Sequence, residues 1–258
     1  GLNEVSIQTQ LATLRVFLKW CGSVGAVPQN FHDKLLVPTL TPDDEQRDVM
    51  LEADRAEELL DHLSKYRYAS REHMLLALLW ETGLRIGAAR SIDLRDVDDE
   101  KNSLQIAHRP ETGTTLKNGN GGERLVAISP ELAEVIRDYT QVTRAEWTDV
   151  SGRKALFPGD CGRISWPTMR RIVYKTTASC YLGKECPDCN EESQWKCPEP
   201  VNPHAIRRGS ITDFLTQDVP VEIVGDRMDV SRKVIDKHYD RRSEEEKLEQ
   251  RRGYLDEI

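Results

Sequence analysis

The chain of 258 residues is long enough for one large domain, or for a small domain and a medium one. Its 38% hydrophobic and 31% charged residues include neither an uncharged run of membrane-spanning length nor a secretory signal, so we expect a cytoplasmic protein. The formal net charge of −8 excludes a surface that is positive throughout, but it allows a local binding face for nucleic acid. Arginine outnumbers lysine two to one, and an acidic, arginine-biased surface suits a high-salt cytoplasm.

The first forty residues predict a helix whose apolar face needs a partner to cover it. Apolar residues recur at helical spacing in "VSIQTQLATLRVFLKWC" (5–21), which predicts an amphipathic helix. The chain begins with Gly1 rather than Met, and "VPTLTPDDEQRD" (37–48) is typical of a linker. We therefore predict a truncated helical domain at 1–40, a linker at 41–53 and a second domain at 54–258.

The second domain opens with two predicted helices. Asp54 and Glu57 have the spacing of a capping box at the start of the first helix. Ser70 has the side chain to cap the second helix, "REHMLLALLWE", and Gly83 to end it. These signals predict a helical start to this domain.

A small sheet is predicted in the middle of the domain. "SLQIAH" (103–108) and "ERLVAI" (123–128) alternate like strands around the Gly- and Asn-rich "KNGNGG" (117–122), which indicates a hairpin. "SPEL" (129–132) begins another helix, and most of the remaining chain is helical in pattern. The predicted fold is mainly α with a small antiparallel β-sheet, in the α+β class.

Four features of this domain carry polar side chains that are rarely combined by chance. A histidine and an arginine one turn apart follow a helix start, because Asn202 is a good N-cap and Pro203 suits the first helical position. Taken singly, each feature has an ordinary explanation as a surface charge or a core residue. In chain order they are Arg85 in "TGLRIGAARSIDLRDVD", Lys117 in "TLKNGNGGERLVAIS", His204 and Arg207 in "NPHAIRRG", and Tyr239 in "VSRKVIDKHYD".

This order resembles the tyrosine recombinases, the phage-integrase family that includes the Xer proteins. "TGLRI" is similar to the first arginine box of the family, "HAIRR" to the second, "KHY" to the nucleophile box and "GGERLVAIS" to the strand after the catalytic lysine. The resemblance covers roughly residues 54–258, and residues 5–40 resemble a truncated core-binding domain. "RDVMLEADRAEELL" and "DRMDVSRKVIDKHYD" most resemble the integrases of halophilic archaea, which fits the acidic balance.

The resemblance implies a role for each of these side chains. Arg85 and Arg207 would offer planar sets of donors to the oxygens of a DNA phosphate. Tyr239 would attack the phosphorus, and His204 would manage its phenolic proton, since a phenol has an ordinary pKa of about 10. Lys117 would protonate the departing 5′ oxygen. The helix start that carries His204 and Arg207 would itself favour the anionic phosphate. The product would be a 3′-phosphotyrosyl bond, and no cofactor is needed for this chemistry.

The third family box departs from its usual pattern. The family has a histidine or tryptophan ahead of the tyrosine in a "GH" context, whereas this chain has "VGDRMDVS" and a spacing about three residues longer. Arg227, or alternatively Asp226, falls near that position, and Arg227 can still donate to a phosphate. His238, beside the nucleophile, is an alternative substitute, although its position next to Tyr239 would direct it elsewhere.

A cysteine-rich insert at 180–197 is the second departure. The pair in "CPDC" is a good half of a zinc knuckle, whereas the other pair is less regular. The alternative is a polar loop with reduced cysteines, and any zinc would be structural rather than catalytic. The four candidate ligands are Cys180, Cys186, Cys189 and Cys197.

Two further segments indicate partners. Residues 161–184 contain five basic residues and no acidic one, which predicts a strip that contacts double-stranded DNA through its phosphates, although a solvated helix face explains it too. In the family that this chain resembles, a tail such as the charged segment at 244–258 packs on a neighbouring subunit, so the resemblance implies self-association on DNA, as a dimer or tetramer. The five basic residues are Arg163, Arg170, Arg171, Lys175 and Lys184.

These features together predict a site-specific DNA recombinase that cuts and rejoins DNA through a 3′-phosphotyrosyl intermediate. Two alternatives remain open at this point. One is a DNA-binding relative whose catalysis is impaired by the altered third box. The other is a type IB topoisomerase, which uses similar Arg, Lys, His and Tyr residues but shows little site preference.

Overall fold

The structure is a computed structural model that describes residues 4–39, 49–160, 162–184, 200–240 and 242–255. The chain divides into two compact units, Gly1–Asp48 and Val49–Ile258. In the described parts of the chain, no helix has the length and apolar character that crossing a membrane requires.

The first unit is built around one long helix. Helix α1 (Glu4–Ser23) is followed by a short 3₁₀ turn at Phe31–Lys34, which packs against it. Phe17 and Trp20 stack on each other yet remain more than half exposed, at 54% and 58%. The predicted helix is confirmed, and its apolar side chains stay largely uncovered within this unit. The assignment of the unit to a core-binding domain stays a prediction.

The second unit consists of helices around a small sheet. Its helices are α2 (Ala53–Tyr66), α3 (Arg71–Thr82), α4 (Ile86–Ser91), α5 (Pro130–Asp138), α6 (Trp166–Thr176), α7 (Pro203–Thr216), α8 (Val221–Met228), α9 (Arg232–His238) and α10 (Glu244–Leu255). Its strands are β1 (Val97–Asp98), β2 (Ser103–Ile106), β3 (Arg124–Ala127), β4 (Pro158–Gly159) and β5 (Gly162–Arg163). The predicted mainly helical α+β fold is confirmed.

The predicted helix starts are mostly observed. The side chain of Ser70 accepts a hydrogen bond from the backbone N–H of His73 at the start of α3, and Ser129 caps α5 in the same way. Gly83 ends α3 in the left-handed region, with φ of 57°. The capping box at Asp54 is wrong, because α2 begins at Ala53 and Asp54 already lies within its first turn.

The sheet is antiparallel in the order β1–β2–β3. Ser103 pairs with Ala127 and Ile106 with Arg124, as the two predicted strands require. The chain between β2 and β3 is longer than a hairpin turn and contains two 3₁₀ turns, at Pro110–Thr112 and Gly119–Gly122. This connection carries Lys117.

Helix α3 lies at the centre of the unit and packs against α2, α5, α6 and α7. Its leucines are buried on several sides, which explains why "MLLALL" has no polar face. A second apolar cluster joins α7, α8 and α9, and Tyr239 is one of its members. The arginine and histidine boxes therefore stand on helices with fixed packing. The second cluster also contains Ile211, Leu215, Val224, Met228 and Ile235.

Candidate active site

A polar cavity of about 890 Å³ brings the four sequence features together. The start of α4, the β2–β3 connection, the start of α7 and the segment from α8 to the end of α9 form its walls. Its charged or titratable lining residues include Arg85, Lys117, Arg124, His204, Arg208, Asp229 and Tyr239.

Arg85 is placed by a tight turn between α3 and α4. A Cβ atom at Gly83 would lie 2.5 Å from the sulfur of Met228, so a larger residue would require that side chain to move, and the left-handed backbone here also favours glycine. Arg85 then serves as the N-cap residue of α4, and its side chain is 27% exposed. Its guanidinium donates to the carboxylate of Asp229, and also to the Asp229 carbonyl oxygen at 2.9 Å.

Arg207 is only 1% exposed, and it shares the carbonyl of Asp229 with Arg85. One of its terminal nitrogens donates to the carbonyl of Gly83 at 2.6 Å, and the other to the carbonyl of Asp229 at 3.3 Å. Its Nε has no hydrogen-bond partner among the described residues. Burial, together with the positive charge of Arg85, lowers the pKa of Arg207 to about 10, although Tyr239 opposes the shift. Arg207 is therefore charged at neutral pH, and the two carbonyls to which it donates carry no charge.

His204 stands in the first turn of α7 and faces the tyrosine. The Asn202 side chain accepts hydrogen bonds from the backbone N–H groups of His204 and Ala205, at 2.9 and 3.0 Å, as the sequence predicts. Nε2 of His204 is 3.5 Å from the phenolic oxygen of Tyr239. The Tyr239 side chain is buried, with 5% of the residue exposed, and its carbonyl accepts from the hydroxyl of Thr212.

The surroundings of His204 keep its imidazole neutral. Part of the residue faces the open cavity, but enclosure by the protein is the first cause that lowers its pKa, to about 4. The positive charges of Arg208 and Arg207 act in the same direction, followed by those of Lys117 and Arg85. A neutral imidazole can accept a proton from the phenol beside it.

Lys117 is exposed on the β2–β3 connection and lines the same cavity. Two hydrogen bonds hold the residues on either side of it. The backbone N–H of Leu116 donates to Nδ1 of His108 at 2.9 Å, and the amide of Asn118 donates to the Asp229 carboxylate at 2.7 Å. The lysine therefore sits on an anchored loop.

Arg124, Arg208 and Asp229 are among the lining residues that were not predicted from the sequence. Arg124 begins β3 and donates to the carbonyls of Arg227 and Gly122, at 2.7 and 2.8 Å, and burial lowers its pKa. Arg208 directly follows Arg207 in the second box. Asp229 follows the last residue of α8 and has a left-handed backbone, with φ of 53°. Two signals in the sequence could have identified Arg124 and Arg208. They are the run of Gly and Asn before Arg124 and the doubled arginine in "HAIRR".

Arg227 is not among the described residues that line the cavity, and its expected role at the phosphate stays a prediction. Its guanidinium donates to the carbonyls of Ala127 and Glu81, at 2.7 and 3.1 Å, and lies 5.3 Å over the ring of Phe214. These contacts tie α8 to the sheet and to α3. The alternative, Asp226, does line the cavity. Of His238 the structure describes the backbone only.

Arg163 does not belong to a DNA-facing strip, and that prediction is wrong. Its side chain is 5% exposed and donates to the carbonyls of Arg90 and Ile92, at 2.8 and 3.1 Å, as well as to the carboxylate of Asp93. Burial acts to raise the pKa of Asp93, but hydrogen bonds from Arg153 and Arg163 outweigh it and hold the pKa below its usual value. This buried cluster stabilises the fold.

The remaining basic residues of the predicted strip are exposed. Arg170, Arg171 and Lys175 project from α6 into solvent. Lys184 is exposed too, but its Nζ lies 2.6 Å from the carboxylate of Glu58, which offsets part of its charge.

The predicted zinc ligands are only partly described. Cys180 is half-buried and lines a separate cavity of about 970 Å³ next to α6. Cys186, Cys189 and Cys197 lie outside the described residues. Within the described ranges, no group of three or more His, Cys, Asp or Glu side chains is arranged to hold a metal ion.

Comparisons with known proteins agree with this geometry. The profile of the phage integrase family matches residues 50–246. A putative integrase/recombinase of Sinorhizobium fredii is 28% identical over 156 residues, which cover 60% of this chain and 50% of the relative. The tyrosine recombinase XerC of Corynebacterium glutamicum is 26% identical over 67% of this chain and 52% of its own length. The chain spans about half the length of these curated relatives.

Solved structures share the fold at low sequence identity. The Tn1549 transposon integrase, in complex with a circular intermediate DNA, superimposes with a TM-score of 0.68 at 15% identity, over 100% of this chain and 81% of that one. A lambda integrase dimer bound to a COC′ core site gives 0.62 at 13% identity, over 93% and 61%. The family profile covers most of the second unit and all four sequence features. The chain therefore belongs to the phage integrase family.

Proposed function

We propose that this chain is the catalytic part of a site-specific DNA recombinase whose nucleophile is Tyr239. One observation carries the proposal: the phenolic oxygen of Tyr239 lies 3.5 Å from a neutral imidazole, in the cavity that Arg85 lines. The buried Arg207 donates to the carbonyl of Asp229, which lines the same cavity. A phenol, a base and two cations are the groups that cleavage of a phosphodiester by tyrosine requires.

In the cleavage step, the oxygen of Tyr239 bonds to the phosphorus while the bond from phosphorus to the 5′ oxygen breaks. The phenolic proton passes to Nε2 of His204, and a proton from Lys117 passes to the departing 5′ oxygen. The products are a 3′-phosphotyrosyl bond and a free 5′-hydroxyl. Attack by a 5′-hydroxyl reverses the step and rejoins the DNA.

The two arginines stabilise the charge that develops on the non-bridging oxygens. The guanidinium of Arg85 is partly exposed, whereas the buried guanidinium of Arg207 donates to two backbone carbonyls. A preorganised donor of this kind contributes about 3–4 kcal/mol to lowering the barrier. Because those carbonyls are neutral, they leave the positive charge of Arg207 available to the phosphate.

The exposed basic side chains of α6 supply the proposed contacts with double-stranded DNA. Arg170, Arg171 and Lys175 present positive charge in a chain whose overall charge is negative. Contacts of this kind bind phosphates without reading bases, so they hold the duplex while the site acts.

Covalent capture from a mixture of DNA sequences tests the proposal. The chain is incubated with a library of randomised duplexes that each carry a nick. After cleavage, the short strand with the free 5′-hydroxyl diffuses away, so rejoining is prevented and the covalent intermediate accumulates. We expect a protein–DNA adduct that survives denaturation. The matched variant Tyr239→Phe should form no adduct. Plasmid relaxation with little sequence choice would indicate a topoisomerase instead, and DNA binding without any adduct would indicate an impaired relative.

The role of Lys117 is tested on the captured site. Replacing the 5′ bridging oxygen with sulfur gives a leaving group that needs no proton, so cleavage by Lys117→Ala should recover on that substrate. Cleavage by the Ala variant that stays equally slow on both substrates would assign another role to the lysine.

Self-association on DNA is proposed for the C-terminal tail. Helix α10 is highly charged and its described side chains are mostly exposed, so it is available to a neighbouring copy. Removal of residues 244–258 should reduce the mass of the complex on a DNA with two half-sites to that of a single bound chain. Unchanged assembly of the shortened chain would exclude the tail from this contact.

The cysteine insert and the acidic composition support two narrower proposals. The "CPDC" pair supports a structural zinc held by four thiolates, which metal analysis of the purified chain and of Cys186→Ser will decide.

The net charge of −8 and the arginine bias support an origin in a halophilic archaeon. Stability that rises from low to molar salt is expected, and a steady loss would contradict it.

A further inference from the structure

Asp229 occupies a central position in the cavity that no sequence motif assigned. Its carboxylate accepts from the guanidinium of Arg85 and, at 2.7 Å, from the amide of Asn118. Its backbone carbonyl accepts from Arg85 at 2.9 Å and from Arg207 at 3.3 Å. One residue therefore contacts both arginine boxes and the loop that carries Lys117.

The backbone of Asp229 explains how it reaches all these groups. Helix α8 ends at Met228, and Asp229 follows in the left-handed region with φ of 53° and ψ of 60°. This conformation turns the chain sharply, so the carbonyl points at the arginines while the side chain reaches the β2–β3 connection. Aspartate and asparagine adopt it more readily than most residues with a side chain.

We propose that Asp229 is a positioning residue that fixes Arg85 and the Lys117 loop in the geometry required for cleavage, an inference that rests on the proposed function. Two of the donors of Arg85 are used by Asp229, which sets the plane of the guanidinium and leaves its other N–H groups for the phosphate. The bond to Asn118 holds the residue next to Lys117, so the general acid stays within the cavity. A misplacement of about 1 Å in such a group costs about 100-fold in rate.

The position of a carboxylate beside Arg85 also allows the opposite interpretation, that Asp229 competes with the DNA phosphate. Removing its charge would then speed cleavage or tighten DNA binding. The two interpretations predict opposite signs, so one set of variants separates them.

Two substitutions test the side chain while keeping the left-handed backbone. Asp229→Gly removes the carboxylate without a Cβ penalty, and Asp229→Asn keeps one acceptor oxygen but no charge. Asp218 is the matched control, because it is also left-handed, with φ of 63°, and is exposed at the end of α7. Asp218→Gly and Asp218→Asn should leave cleavage unchanged.

The rate of covalent capture on the selected DNA, measured at saturating protein, gives the first readout. We expect Asp229→Gly to cleave about 10- to 100-fold more slowly than the wild-type chain, with Asp229→Asn in between and DNA affinity changed by less than about 3-fold. Wild-type or faster cleavage by Asp229→Gly would overturn the proposal, as would a loss explained entirely by weaker DNA binding.

A double substitution separates positioning from a general structural role. On DNA with a bridging sulfur, where the lysine is not needed, the side chain of Asp229 acts through Arg85 alone, and its carbonyl is retained in the glycine variant. Adding Asp229→Gly to Arg85→Lys should then slow cleavage by less than about 2-fold beyond Arg85→Lys itself. A full additional loss would show that Asp229 does not act through Arg85.

Hydrogen exchange of the DNA-free chain gives a readout that does not depend on catalysis. Amides of the connection at 115–123 should exchange faster in Asp229→Gly than in the wild-type chain or in Asp218→Gly. Unchanged exchange there would contradict the tether to Asn118. If the wild-type chain forms no adduct with any DNA, the proposed function fails, while this measurement still decides whether Asp229 anchors the loop.

Discussion

Arg163 and Arg170 lie seven positions apart in one basic segment, and the structure predicts opposite consequences for their loss. Arg163 is buried against Asp93 and two backbone carbonyls, whereas Arg170 is exposed on α6. Arg163→Ala should therefore destabilise the fold and leave the intrinsic DNA contacts unchanged. Arg170→Ala should weaken DNA binding and leave stability unchanged.

The magnitude for Arg163 follows from its partners. Breaking a buried ion pair by removing one member costs about 3–5 kcal/mol. Asp93 keeps its hydrogen bonds from Arg153, at 2.7 and 3.1 Å, so its carboxylate remains paired and the lower end of that range applies. About 3 kcal/mol corresponds to a melting temperature lower by about 6–12 °C for a unit of this size.

The assay combines urea unfolding at pH 7 with DNA affinity measured over a series of salt concentrations. Arg170→Ala should change the free energy of unfolding by less than about 0.5 kcal/mol. It should also reduce the slope of log K against log salt by about 0.9, the amount for one phosphate contact. Arg163→Ala, measured where it remains folded, should keep the wild-type slope.

If Arg163→Ala unfolds at the same urea concentration as the wild-type chain, the contacts of Arg163 do not stabilise the fold. A reduced salt slope in that variant, with unchanged stability, would place Arg163 on the DNA face after all. The buried contacts with Asp93 and the two carbonyls would then not describe the protein in solution.

Substitutions at His204, Lys117 and Gly209 test the chemistry of the site and the packing of α7. His204 has a pKa of about 4 against an ordinary 6.5, so the unfolded chain takes up a proton first and stability should fall as pH drops from about 6.5 towards 4. His204→Gln should lose that part of the pH dependence of unfolding, and an unchanged profile would contradict the shift. Lys117→Ala should slow capture at least about 100-fold on ordinary DNA, which single-turnover kinetics will measure. A Cβ at Gly209 would lie 1.9 Å from the carbonyl oxygen of Leu51, so Gly209→Ala should cost about 3 kcal/mol or more in urea unfolding. Gly121→Ala, where no atom lies within 4 Å, should be close to neutral, and equal effects of the two would refute the packing argument.

The parts of the fold that depend on local signals were predictable from the sequence. The caps at Ser70, Ser129 and Asn202 depend on neighbours two or three residues away, and all three are observed. The pairing of β2 with β3 follows from alternation on either side of a turn-rich segment. Strand β1 has only two residues, which is too short to produce a pattern.

The errors in the candidate site came from contacts between distant positions. Arg163 resembles a surface charge until Asp93, seventy residues earlier, is found beside it. The order of residues between α8 and α9 does not reveal where the helix ends. Because α8 stops at Met228, the turn brings Asp229 to the arginines and directs Arg227 towards the sheet. The grouping of Arg85, Lys117, His204 and Tyr239 could be predicted only through the family resemblance, since these residues are far apart in sequence.

Mass spectrometry of the trapped complex tests whether Tyr239 is the nucleophile. After nuclease and protease digestion, we predict that the 3′-phosphonucleotide is attached to the peptide that contains Tyr239. Tyr239→Phe should give no adduct, although it should bind the same DNA with an affinity within about 3-fold of the wild-type chain. An adduct on any other residue, or one that persists in Tyr239→Phe, would contradict the account.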